Sequence, residues 1–98
     1  MEIKMNKYES VIILDSTLSE EGLNEVVSKI TTFLKENGEL TNVEDIGIKR
    51  LAYEINKRKE GHYMIFKFNA ESKIIGELER IYRISDEVMK FINVRIDG

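Results

Sequence analysis

The 98-residue chain contains no cysteine and no proline, and it has a single histidine. Without cysteine there is no disulfide framework and no thiolate chemistry, which suits a reducing compartment. With one histidine and no cysteine, a nucleophilic pair would have to be built around His62, which reads as a structural strand residue, and a His/Cys metal cluster lacks its parts. No apolar run approaches the ~20 residues of a membrane span. The start, Met1-Glu2-Ile3-Lys4-Met5, lacks the apolar core of a signal peptide. No linker, low-complexity segment or internal repeat divides the chain. The expectation is one small cytoplasmic domain over residues 1–98 without a cofactor, residues 1–5 being a possible disordered extension and Met5 an alternative start.

Apolar residues make up 42% of the chain, enough for one core, and the net charge is −3. The charge is unevenly placed. Residues 1–46 carry 10 acids and 4 bases; residues 47–98 carry 8 acids and 11 bases. Either ordinary solvated charge is uneven here, or the second half presents a basic face while the first keeps an acidic one.

Periodicity supplies the elements. Tyr8 to Leu14 is short, apolar and β-branched, the signature of a central strand. Ser19 is a good helix N-cap, with Glu20 and Glu21 in the first turn. Leu23, Val26, Val27, Ile30, Phe33 and Leu34 then form one helical stripe to about Asn37, and Gly38 suits a left-handed stop. From Leu40 to Ile55 a looser apolar pattern with Gly47 in its middle predicts one long bent strand or two pieces joined there. Asn56 to Gly61 is a polar hairpin turn, and His62 to Phe68 alternates as a strand. Ser72 is a candidate N-cap for a second helix with Ile74, Ile75, Leu78, Ile81 and Tyr82 inward. Val88, Ile92, Val94 and Ile96 predict a last strand, apolar on one face. The order β-α-β-β-α-β gives an α+β, ferredoxin-like split βαβ domain: a four-stranded antiparallel sheet, two helices on one face, the other face open.

Candidate chemistry is sparse. Adjacent acids at Glu44-Asp45 and Asp86-Glu87 point apart on extended chain, unlike a general acid/base pair. An acyl-phosphate hydrolase on this fold needs a cation in the loop after strand one, and Asp15 to Ser19 holds none. The aromatics after Gly61 fall one place off the RNA-stacking pattern of an RRM, so Phe66 and Phe68 read as core. Lys49-Arg50, just before the aromatic-bearing run Leu51-Ala52-Tyr53, cannot both be buried on a strand; they are either a solvated edge or contacts for an anionic partner. Lys57-Arg58-Lys59 is a charged hairpin tip. Arg80 and Arg83 can pair with Glu77 or Glu79 within the second helix.

Lys7-Tyr8-Glu9, Gly47, Lys49-Arg50-Leu51-Ala52-Tyr53, Ile55, Lys57, Gly61, Tyr63, Glu77-Leu78-Glu79-Arg80, Arg83-Ile84, Val88, Lys90-Phe91 and Val94 together resemble the bacterial small-subunit ribosomal protein S-six family, from about Met5 to Ile96. The resemblance implies a ferredoxin-like, non-enzymatic component of the small ribosomal subunit. It would bind the central domain of small-subunit ribosomal RNA jointly with ribosomal protein S-eighteen, with no small-molecule substrate and no membrane. A net acidic chain should bind free RNA poorly, and a basic partner would supply the missing charge. The RNA-contact candidates are Lys7, Lys49, Arg50, Arg80, Arg83 and Lys90. Tyr8, Tyr53 and Tyr63 are candidates for partner or base contact, or for core. The chain departs from the family pattern at Glu54, where many members carry proline, so no proline-fixed bend is expected. The acidic tail that some members carry, and its extension with glutamate, are not expected in a chain ending at Gly98. The competing class is a regulatory or ligand-binding ferredoxin-like domain that dimerises through its open sheet.

Overall fold

A computed structural model describes residues 4–55 and 57–96. Six elements occur in them: β1 (Asn6–Asp15), α1 (Glu20–Asn37), β2 (Gly38–Ile55), β3 (Arg58–Ala70), α2 (Lys73–Ile84) and β4 (Val88–Arg95). The sheet is antiparallel throughout, in the order β2-β3-β1-β4. This is the predicted ferredoxin-like arrangement. Of the residues expected to form an N-terminal extension, 1–3 lie outside the described residues.

Alternation along the two central strands sorts the side chains into layers. Tyr8, Ser10, Ile12 and Leu14 of β1 and Met64, Phe66 and Phe68 of β3 face the helices. They meet Val26, Ile30 and Leu34 of α1 and Leu78 and Tyr82 of α2 in one buried core. Lys7, Glu9, Val11 and Ile13 pair with Asn69, Lys67, Ile65 and Tyr63 on the opposite, open face. Phe66 and Phe68 are core, as the failed RRM pattern indicated. Glu44 and Asp45 point apart: Glu44 approaches Lys67 at 3.5 Å, whereas Asp45 accepts a 2.6 Å hydrogen bond from His62.

Ser19 caps α1, its hydroxyl accepting from the Gly22 amide at 3.1 Å. Gly38 corrects the expectation of a left-handed stop: its φ of −173° is extended, and the chain runs straight into β2. The glycine is needed for clearance, because a Cβ there would lie 2.4 Å from the Asn69 carbonyl oxygen on β3. Ser72 precedes α2 without capping it; it is itself helical and its hydroxyl accepts no cap bond.

β2 is one strand whose pairing with β3 slips at three places, the first between Leu40 and Asn42. Gly47, at φ +98°, sits where the pairing slips between Asp45 and Gly47. Further on, Arg50 pairs with Glu60 and Ile55 with Arg58. Residues 51–54 therefore oppose Lys59 alone, a large bulge that makes the strand bend without proline. The expected six-residue turn is shorter. β2 runs to Ile55 and β3 already begins at Arg58, with Lys57 at φ 65°. Asn56 lies outside the described residues.

The last strand also differs from expectation. A register shift lets Val88 pair with Leu14 and Lys90 with Ile13. Skipping Met89 reverses the parity of the strand. Val88 and Phe91 pack against the core, whereas Ile92 (53% exposed) and Val94 (44%) lie on the open face.

Candidate nucleic-acid and partner interface

The bulge of β2 shapes the open face. Leu51, only 8% exposed, is tucked against the open-face side of the sheet beside Ile13. Gly61 makes the close approach possible: a Cβ there would fall 2.3 Å from Ile13 Cγ2 and 3.4 Å from Leu51 Cδ2. Tyr53 follows two residues later and reaches across toward β4. The Lys90 ammonium lies 5.7 Å from the centre of the Tyr53 ring and donates to its hydroxyl at 3.5 Å. β2 and β4 are the two edges of the sheet, so this contact bridges the open face over both central strands.

Beyond the bulge the open face carries an apolar band from Ile65 and Val11 on the central strands to Ile92 and Val94 on the β4 edge. Charge crosses the face beside that band, where Lys67 on β3 lies between Glu9 on β1 at 3.6 Å and Glu44 on β2 at 3.5 Å. The exposed apolar residues Ile92 and Val94 have no role in the helix-side core; a sheet face of this kind marks an interaction surface.

The six basic candidates do not form one patch. Lys49 and Lys90 lie on the open face at the end where β1 finishes, each exposed. Arg50 is exposed and, as the next strand residue, points to the other face. Arg83 leads by a short loop into Val88 at this same end, but on the helix layer; Arg80 is one turn earlier. Both pair within their helix, Arg80 with Glu77 at 3.7 Å and Arg83 with Glu79 at 3.8 Å. These pairs are exposed and weak, and do not preclude a phosphate contact. Lys7 pairs with Asn69 at the opposite end of the sheet.

The tyrosines separate cleanly. Tyr8 is 7% exposed and stacks on Phe68 with ring centres 5.6 Å apart. It is a core residue and offers a partner no surface, because the even positions of β1 face the helices. Tyr63 is half-buried on the open face beside the bulge, and Tyr53 is 68% exposed.

Arg58 belongs to the charged hairpin tip. Its guanidinium reaches back to Asp15 at 3.2 Å. The Asp15 carboxyl is held below its ordinary value first by the Thr17 amide and then by the Thr17 hydroxyl, at 2.9 and 2.7 Å, with Arg58 adding to them against the cost of burial. Among the described residues no group of three or more His, Cys, Asp or Glu could hold a metal ion, and no helix is long and apolar enough to cross a membrane.

Comparison with known proteins follows this geometry closely. The family model described as ribosomal protein S6 matches residues 7–95. A small ribosomal subunit protein bS6 of Thermoanaerobacter pseudethanolicus is 40% identical over 94 residues, covering 95% of this chain and 99% of its own. The protein of that name from Helicobacter acinonychis is 43% identical over 98 residues, covering 96% of this chain and 67% of its own. The crystal structure of ribosomal protein S6 from Thermotoga maritima superimposes with a TM-score of 0.90 at 30% identity, covering 96% of this chain and 90% of that one.

Proposed function

The chain belongs to the ribosomal protein S6 family, and from that premise we propose that it is a non-catalytic part of the small ribosomal subunit, in the cytoplasmic ribosome, that binds the central domain of small-subunit ribosomal RNA jointly with ribosomal protein S-eighteen. The observation that carries this reading is the division of its surface. Residues 49–62 form a hairpin arm with five bases and two acids, a net +3, which leaves −6 on the remainder of the chain. Phosphates are attracted to the arm and repelled by the rest.

The body of the protein suits a basic protein partner. Its open face combines the exposed Ile92 and Val94 on the β4 edge with Glu9 on the neighbouring strand and Glu44 on β2, an apolar edge with acids beside it. A partner seated there would cover the apolar residues and bring cations of its own to the RNA. Lys49, Arg50 and Lys90, which share one end of the sheet, are the phosphate contacts this arrangement favours. Arg80 and Arg83 follow on the helix layer, and Lys7 at the far end would need a separate stretch of RNA. Tyr53 and Tyr63 remain beside the arm; Tyr8 does not take part.

The test is a titration onto a central-domain RNA fragment with and without S-eighteen, at two salt concentrations. Weak binding alone and tight, salt-sensitive binding with the partner is the expected result. No binding in either condition by folded protein would refute the reading and favour a regulatory domain that pairs through its open sheet.

A further inference from the structure

The bulge at residues 51–54 places an aromatic ring in solvent and then fixes it. Tyr53 is 68% exposed. Two residues before it Leu51 is anchored beside Ile13 and Gly61, and on one side of the ring the Lys90 ammonium is held at 5.7 Å. A ring fixed at its base, with a cation on one side and most of its surface open, is a stacking platform. Unpaired bases of any sequence present a flat π face to such a ring. The hollow beside it, lined by Ile13, Leu51, Ile55, Tyr63 and Lys90, has a volume of about 100 Å³, room for a few waters. A base would therefore lie on the ring and not enter the hollow.

The surrounding charge selects nucleic acid over protein as the occupant. Tyr53 stands within the stretch 49–62 that carries the net +3. Among the described residues neither Lys49 nor Arg50 is held in an ion pair. Lys49 and Lys90 lie at the same end of the open face as the ring. Cations that can reach the phosphates on either side of a stacked nucleotide, around a ring that takes its base, are the two halves of a single-strand binding site.

We infer that Tyr53, anchored through Leu51 and flanked by Lys90, stacks on one unpaired base of the RNA this protein binds. The inference rests on the RNA-binding reading above. It is tested by measuring the affinity of the RNA–partner assembly for wild type, Tyr53→Phe and Tyr53→Leu, together with ultraviolet crosslinking mapped by mass spectrometry. Tyr53→Phe keeps the ring and should bind within about twofold of wild type. Tyr53→Leu keeps apolar bulk but no π face and should lose roughly tenfold, with the salt dependence unchanged because no phosphate contact is removed. Wild type should crosslink through Tyr53 to one unpaired nucleotide. Undiminished binding by Tyr53→Leu, or a crosslink to the partner protein instead of RNA, would overturn the inference while leaving the RNA-binding reading intact. Failure of wild type to bind RNA at all would overturn both.

Discussion

Removing the hydroxyl of Tyr82 should destabilise this protein more than its size suggests. Ser10 on β1 and Tyr82 on α2 share a 2.6 Å hydrogen bond, and both residues are almost wholly excluded from water, at 0% and 1% exposure. In Tyr82→Phe the Ser10 hydroxyl stays buried with its partner gone, which costs about 1–3 kcal/mol. For a domain of this length each kcal/mol moves the thermal midpoint by about 4–8 °C, so a fall of roughly 10 °C is expected. Ser10→Ala orphans the Tyr82 hydroxyl and should cost a similar amount. The double variant removes both polar groups and should cost clearly less than the two single losses combined. Urea unfolding provides the assay, read as a shifted midpoint with unchanged slope. A null effect of Tyr82→Phe, or strict additivity in the double variant, would refute the reasoning. The same burial pushes the Tyr82 phenol well above its ordinary value of 10.0, against the opposing effect of the Ser10 bond. A raised folded-state value means that the stability it contributes is present below pH 10 and is lost as pH climbs beyond it, while tyrosine in the unfolded chain ionises first. Wild type should therefore become less stable above about pH 10, and Tyr82→Phe should show less of that loss.

Gly38→Ala should lower stability by about 1–3 kcal/mol, because its Cβ would lie 2.4 Å from the Asn69 carbonyl oxygen; calorimetry reads it, and an unchanged midpoint would show that the α1–β2 junction yields freely. Asp15→Asn should lower the unfolding midpoint at pH 7, and the gap to wild type should close as pH falls below the ordinary carboxyl value of 3.8, since a depressed folded-state value adds stability only above that range. Ile92→Ser with Val94→Ser should leave the thermal midpoint nearly unchanged, within about 0.5 kcal/mol, yet weaken joint assembly with the partner and RNA in a pull-down; equal assembly would remove the open face from the interface.

Much of the architecture is legible in the chain because local and tertiary preferences agree. The stripe from Leu23 to Leu34, the Ser19 cap and the alternation of Met64, Phe66 and Phe68 each name an element and its inward face. Apart from Ser72, which is itself helical and does not cap α2, the differences depend on pairing between strands, which no local pattern encodes. Gly38 looks like a left-handed stop until Asn69 is found against it. The parity of β4 changes at Met89, so Ile92 and Val94 look like core partners of Val88 although they lie on the other side of the sheet. The bulge after Arg50 is visible only once Ile55 is paired with Arg58, and Tyr53 stands exposed within it. Residue type alone marks the cationic candidates, so their division between one sheet end, a helix face and the far end of β1 is not legible in the sequence.

The central claim is that the hairpin arm meets the phosphates while the open face takes a protein. The most direct measurement is the salt dependence of RNA affinity, with the partner present, for wild type and for Lys49→Glu with Arg50→Glu. The account predicts weaker binding across all RNA sequences and a slope of log affinity against log salt shallower by about one to two, with direct binding of the partner in the absence of RNA unchanged. An unaltered slope, or a loss confined to binding of the partner, would contradict it.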